Sequence, residues 1–303
     1  MTQPGQLERE RSTRVSTSHM DADFKKKLTK IVNASGFVFQ LAIEQHIKKT
    51  VGEHQWHVVT REHPWRNTET GNTGFIDLIL ERNFDRLVIE CKRTHNARWI
   101  FLLEKKEKES VGTILCQWSE IIRPRRDIER NFACGCWDFV THLSSAEAEF
   151  CTIRGSGEKD QPMLERIAKK LVQSVDSLII EQKNNVQRKE YERCIYLPVI
   201  VTTAELYTCL IDPEKVSLES GEISYEDTHL QKVPYVQFKK TLATDLNTNI
   251  VAKNLRDINN ALQRTVLVVS ARKLRNFLQI LDIIDTGHNP WYFAPLLKQT
   301  QES

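Results

Sequence analysis

Asp77, Glu90 and Lys92 carry charge in two segments that are otherwise apolar. The segments are Gly74-Phe75-Ile76-Asp77-Leu78-Ile79-Leu80 and Arg86-Leu87-Val88-Ile89-Glu90-Cys91-Lys92. Each reads as a β-strand, with Arg82 to Asp85 as the polar turn between them. Pairing Leu80 with Leu87 fixes the register and predicts that Asp77 faces Glu90. Two like charges directly opposite each other across an antiparallel pair repel. Glu90 and Lys92 are two residues apart, so they project from the same face of their strand. One small patch therefore holds two carboxylates and an ammonium. A divalent cation between the carboxylates converts the repulsion into coordination. Such a patch suits phosphodiester hydrolysis, which needs an activated water, charge stabilisation on phosphorus and help for the leaving oxygen.

An Asp at the end of one strand, followed by Glu-x-Lys in the next, resembles the active site of the PD-(D/E)XK nuclease superfamily, which has the restriction-endonuclease-like fold. Here the pattern is Asp77 and then Glu90-Cys91-Lys92, with Ile76 where the superfamily name has Pro. The resemblance implies Mg²⁺ or Mn²⁺ held by Asp77, Glu90 and the Cys91 backbone carbonyl, with Lys92 orienting or deprotonating water. In the superfamily a Glu from a helix before the site strands often joins the metal cluster. Glu44 occupies that place here, as a catalytic residue and metal ligand. The alternative for Glu44 is an ordinary ion pair with Lys48 at i+4.

The helix that would carry Glu44 runs from about Phe37 to Val51, with Ser35 as its cap and Gly52 past its end. Glu44 shares a face with Phe37 and Leu41, where a carboxylate needs a partner. An earlier helix starts at Asp21 or Asp23. Gln55 to Arg61 alternates weakly and reads as the first strand. Pro162 opens the clearest helix, in which Leu164, Ile167, Ala168, Leu171, Val175, Leu178 and Ile179 recur at helical spacing, with Lys169 and Lys170 outside the stripe. Ile195 to Val201 is a continuous apolar run, a buried strand in which Pro198 predicts a bulge or a sheet edge. Further strands are expected at Glu147 to Arg154, Leu206 to Ile211, Val233 to Phe238 and Val266 to Val269, and Trp99 to Leu103 is either another strand or the floor of an inserted element. Helices are expected within 250–262 and from Leu274 to Ile284.

The order helix, three strands, helix, strand matches the αβββαβ core of the superfamily. The expected fold class is therefore α/β, an α+β arrangement around a mixed sheet. Residues 21–212 form the expected core, with an insertion at about 94–160 after the third strand. Residues 213–303 form a C-terminal α/β extension packed on that core, and residues 1–20 are expected to be disordered.

Arg123, Arg125, Arg126 and Arg130 make the densest basic patch. Arg272 and Lys273 open the last helix, where positive charge opposes the helix dipole unless it grips phosphate. These six are the expected nucleic-acid contacts. Gln187 to Tyr191 is similar to the Q-x-x-x-Y element of some superfamily nucleases. Cys134 and Cys136, with His142 and Cys151, are spaced too tightly for an ordinary zinc pair. His54, His57 and His63 lack regular ligand spacing. Both groups read as ordinary core and loop residues.

Lysine and arginine number 43 against 40 aspartates and glutamates, a formal charge of +3, so net charge neither favours nor excludes nucleic acid. Seven irregularly spaced cysteines argue against a disulfide framework. Neither a signal-peptide core nor an apolar run of membrane length is visible. A cytoplasmic protein with no membrane partner is expected. The absence of a G-x(4)-G-K-[ST] loop excludes an ATP-driven motor of that class. The resemblance implies a Mg²⁺-dependent endodeoxyribonuclease, with DNA as partner ahead of RNA. Many superfamily members act as homodimers, so self-association is also expected. Two alternatives remain, a catalytically silent nucleic-acid-binding or scaffold protein on the same fold and a metal-dependent phosphoesterase acting on nucleotides.

Overall fold

The computed structural model describes residues 21–67, 70–95, 97–104, 112–122, 131–154, 163–185, 192–243 and 254–284. The chain divides into two units, residues 1–38 and 39–303. In the first, helix α1 (Ala22–Ala34) starts at Asp21, whose side chain accepts a hydrogen bond from the Asp23 N–H. That capping satisfies one of the free amides of the first turn. Phe24, Leu28, Ile31 and Val32 of this helix are all exposed.

The second unit begins within α2 (Phe37–His54) and continues through β1 (His57–Arg66), β2 (Thr73–Arg82), β3 (Asp85–Lys92), β4 (Arg98–Glu104), β5 (Thr113–Ile122) and β6 (Asn131–Val140). Then come β7 (Glu147–Ala148), β8 (Phe150–Arg154), α3 (Met163–Asn185), β9 (Glu192–Thr202), β10 (Glu205–Ile211) and β11 (His229–Val233). The last elements are β12 (Tyr235–Thr241), α4 (Leu255–Leu262), β13 (Gln263–Ser270) and α5 (Leu274–Ile280). The class is mixed α/β. Among the described residues, one large mixed sheet runs β1-β2-β3-β9-β13-β12-β7, and β5 and β6 join it through β9. A second sheet has the order β11-β10-β4-β8.

The sheet organises around β9. Its residues from Ile195 to Val201 are apolar and buried, which suits a strand covered on both faces. It runs parallel to β3 along the full length of that strand, from Asp85 opposite Ile195 to Lys92 opposite Thr202. On its other edge β9 has two partners in succession. The antiparallel β5 pairs with residues up to Tyr196, and the parallel β13 takes over from Val199. Pro198 falls in the gap between them. The expectation of a bulge or a sheet edge at Pro198 is thus corrected. The strand is central, and its proline sits where that edge of the ladder changes hands.

Two apolar layers cover the large sheet. Ala168, Leu171, Val172 and Val175 of α3 share one buried cluster with Val88, Tyr196 and Ile200, and with Trp99 and Phe101 of the second sheet. Ile43 and Ile47 of α2 share the other with Leu78, Leu87, Ile89 and Leu197, and with Leu274, Phe277 and Leu278 of α5. Strands β12 and β13, from the segment expected as an extension, are members of the main sheet. The stretch from Glu147 to Arg154, expected as one strand, is split at Glu149 into β7 and β8, which belong to different sheets. Helix α5 ends at Ile280, short of the expected Ile284. Pro162, the Gln187 to Tyr191 segment and residues 1–20 lie outside the described residues. No helix among the described residues is long and apolar enough to cross a membrane.

Leu197 is fully buried in the middle of β9. Leu197→Ala is expected to lower unfolding stability by about 3 kcal/mol, through lost burial and the cavity left behind. Chemical denaturation should show a lower midpoint with an unchanged slope.

Candidate active site

The β2–β3 hairpin has the register that the sequence implies. Leu80 pairs with Leu87, and the ladder runs from Arg82 opposite Asp85 to Leu78 opposite Ile89. The turn is tight, with Asn83 at φ 56°, a left-handed conformation that Asn tolerates better than most residues. One step past Leu78 the ladder stops. Asp77 and Glu90 occupy the next facing positions, and backbone pairing gives way to a side-chain contact. The Cys91 N–H donates to Asp77 Oδ2 at 2.7 Å. On its opposite edge β3 stays fully paired, since Glu90, Cys91 and Lys92 lie opposite Ile200, Val201 and Thr202 of β9. The Thr203 N–H also donates to the Lys92 carbonyl. The site thus opens where β2 parts from a β3 end that β9 holds in place.

Glu62, which the sequence reading did not single out, completes the row. Arg61 pairs with Leu78 and His63 with Ile76, so Glu62 takes the position on β1 opposite Asp77. Its φ of 52° breaks the strand's regular alternation. In a regular strand, residues two apart point the same way. Here Arg61 reaches Glu44 on α2, whereas His63 reaches Glu181 on α3. Those helices belong to the two opposite apolar layers. Gln40 of α2, itself buried, clasps the break, with Nε2 donating to Glu62 Oε1 at 2.5 Å and to the Asp77 carbonyl at 3.0 Å. No motif marks Glu62 or Gln40 in the sequence. The only signal was a polar residue, Gln40, on the otherwise apolar start of α2.

The charges at this point are out of balance. Burial pushes the Glu90 carboxyl up to about 7, and the negative charge of Asp77 adds to the effect. Burial likewise raises Asp77 to about 6, against the Cys91 N–H that favours its ionised form, and Glu62 pushes it further up. Lys170 and Lys92 oppose both shifts, and Lys170 has the greater effect on each. Among the described residues, Glu90 accepts no hydrogen bond and touches no counter-ion, and neither Lys92 nor Lys170 makes an ion pair. The Cys91 thiol is pushed well above its ordinary value by burial and by Asp77 and Glu90, so it is no nucleophile at neutral pH.

Other expected site residues lie elsewhere or are otherwise engaged. Glu44 is buried but paired, with Lys48 at 2.5 Å and Arg61 at 3.4 Å. The hydrogen bond from Lys48 holds its carboxyl below the ordinary range despite burial. The structure therefore gives Glu44 the ion pair with Lys48, and the helix side chain at the Asp77–Glu62 break is Gln40, one turn earlier. Arg272 and Lys273 are exposed in a short turn after β13. Arg123, Arg125, Arg126 and Arg130 lie outside the described residues. His54 accepts from the Trp56 N–H through Nδ1, and His63 is paired with Glu181, so both have structural partners. A concavity of about 320 Å³ lined by Gln55, His57, Val59, Glu81, Arg82 and Asn83 lies at the hairpin turn, the far end of β2 from Asp77.

The donor set fits a hard divalent cation. Two carboxylates and a main-chain carbonyl offer oxygen ligands, and one of the carboxylates has no other partner. Among the described residues, no three His, Cys, Asp or Glu side chains are grouped so as to hold a metal ion together. Mg²⁺ needs no such group, because it keeps several waters and commonly uses one or two carboxylates. Comparisons with protein-family models, with curated proteins and with solved structures find no match for this chain.

The raised carboxyls link stability to pH. The folded state holds protons on Glu90 and Asp77 at pH values where the unfolded chain has released them. Stability therefore falls as pH rises from the ordinary carboxylate range through about 6 and 7, and the loss is complete above that window. In EDTA, the wild-type melting temperature is expected to drop between pH 5 and pH 8 by about 5 °C more than that of Glu90→Gln. A thermal-shift series on both proteins reads this difference directly.

Proposed function

We propose that this protein is a metal-dependent nuclease of the PD-(D/E)XK type that hydrolyses phosphodiester bonds, with DNA as the first substrate. The observation that carries the reading is the facing pair Asp77 and Glu90. Both are half-buried and mutually repelled, at the open end of a hairpin whose next residue but one is an unpaired lysine. An idle protein has no physical use for that arrangement, since each carboxylate raises the cost of ionising the other. The order α2-β1-β2-β3, followed after the intervening strands β4 to β8 by α3-β9, with β3 antiparallel to β2 and parallel to β9, supports a restriction-endonuclease-like core.

In this reading Asp77, Glu90 and the Cys91 carbonyl would hold Mg²⁺ or Mn²⁺. The bound ion supplies Lewis-acid activation of water and of the phosphoryl group. The hydrogen bond from the Cys91 N–H fixes Asp77 Oδ2, which leaves Oδ1 available. Lys92, two residues along β3 from Glu90, presents its Nζ on the same side. There it orients the attacking water and offsets negative charge as it accumulates on phosphorus. Pairing along β9 holds the Lys92 backbone, so this cation is positioned before substrate arrives. Glu62, steered by Gln40, adds negative charge beside Asp77.

Asp77→Ala and Lys92→Ala, each with unchanged circular dichroism, are expected to lower Mg²⁺-dependent cleavage by at least about 100-fold. The assay compares supercoiled, linear and single-stranded DNA, RNA and mononucleotides, with Mg²⁺ and with EDTA. Equal cleavage by either variant would refute the assignment. Salt-sensitive binding without cleavage of any substrate would favour a silent binding protein.

A further inference from the structure

Lys170 belongs to α3, the helix that covers one face of the sheet, and lies outside that helix's buried stripe. Its stem is nonetheless tightly placed. A Cβ at Gly74 would stand 3.1 Å from Lys170 Cε and 3.0 Å from Trp65 Nε1, so the lysine and the indole share the space that a side chain at residue 74 would fill. Gly74 is three residues before Asp77 on β2. The absence of a side chain there lets α3 bring a cation to the start of the strand that carries the site. Trp65 is buried, so one wall of this passage is rigid.

The placement has an electrostatic result. The Lys170 Cε lies against Gly74, so the cation is held beside the strand that carries Asp77, on the α3 side of the sheet. Among the described residues it forms no ion pair with Asp77 or Glu90, or with any other acid. Lysines elsewhere on the sheet are neutralised, since Lys239 of β12 pairs with Glu147 and Lys240 of β12 with Glu165 of α3. Lys170 thus stands beside an acidic site, exposed and uncommitted, with its stem fixed.

We infer that Lys170 is a substrate-binding residue of this site, taking a phosphate of the nucleic-acid backbone on the α3 side while Lys92 serves the reacting phosphate from β3. This rests on the nuclease reading above. Its logic is charge sharing between ligands. With the carboxylates bare, Lys170 lessens their repulsion at a distance. Once a cation occupies them, the ammonium no longer faces net negative charge and is free for an incoming phosphate. A lysine suits this task, because it acts as a point charge on an adjustable stem. A substrate that lays its backbone across both β3 and α3 is longer than a mononucleotide, so the arrangement favours polymers.

Lys170→Met keeps the stem over Gly74 and removes the charge, and Lys170→Arg restores it. The probes are a fluorescein-labelled DNA duplex and the matching single strand, followed by anisotropy over a salt series. Mn²⁺ binding to the same full-length proteins is followed by calorimetry. Lys170→Met is expected to weaken binding of the labelled DNA by about five- to tenfold and to reduce the salt slope by about 0.9. Its Mn²⁺ affinity should stay equal or rise, because a repelling cation is gone. Lys170→Arg should recover most of the DNA affinity. A merely structural lysine would weaken metal and DNA binding together, and that outcome overturns the inference. So does DNA binding with unchanged affinity and slope in Lys170→Met while wild type binds both Mn²⁺ and DNA. Wild-type protein that binds neither would overturn the nuclease reading itself, and this inference with it.

Discussion

The repulsion between Asp77 and Glu90 is the constraint on which the rest of this site depends. Two carboxylates in facing positions of an antiparallel pair, both half-buried, oppose folding unless something answers their charge. The chain answers in part with its own groups. The Cys91 N–H donates to Asp77, and the two lysines act from β3 and α3. Those answers leave both carboxyls above their ordinary values, and Glu90 without a contact partner. Helices α2 and α3, the parted end of the hairpin and the full pairing of β3 with β9 all serve to keep the two acids near each other.

The geometry divides the work between a rigid and an irregular part. β3 is held along its whole length by β9, the most buried strand of the sheet. Glu90 and Lys92 therefore stand on an element that does not yield to their charge. The irregular part is the β1–β2 pair, where Glu62 adopts a left-handed φ and Gln40 bridges to the Asp77 carbonyl. Backbone in a sparsely populated conformation persists only where surrounding contacts over-determine it. Here the clasp from Gln40 and the opposite pulls on Arg61 and His63 supply those contacts.

The hairpin was legible in the sequence because its evidence is local. Two apolar runs, a polar turn and charge at matching positions together specify one register, and Leu80 does pair with Leu87. Glu44 was harder, because helical position alone cannot distinguish a site ligand from half of an ion pair. Its partners are Lys48 on the same helix and Arg61 of β1, and the direction of Arg61 depends on the break at Glu62. Glu62, Gln40 and Lys170 were illegible for a related reason. Each becomes part of the site only through contacts between elements distant in sequence, and none lies in a recurring motif. Pro198 shows the same limit in the fold. A proline in an apolar run signals a strand edge, but here the edge of β9 changes partner midway, which local sequence does not encode.

The most direct test of the central claim is whether the facing carboxylates bind a divalent ion. Calorimetric titration of Mn²⁺ at pH 8 into wild type, Asp77→Asn and Glu90→Gln isolates that property from catalysis and from any choice of nucleic acid. The account predicts saturable binding to wild type that each substitution weakens by at least about tenfold. Wild-type protein that takes up no ion, or variants that bind it as tightly as wild type, would contradict it.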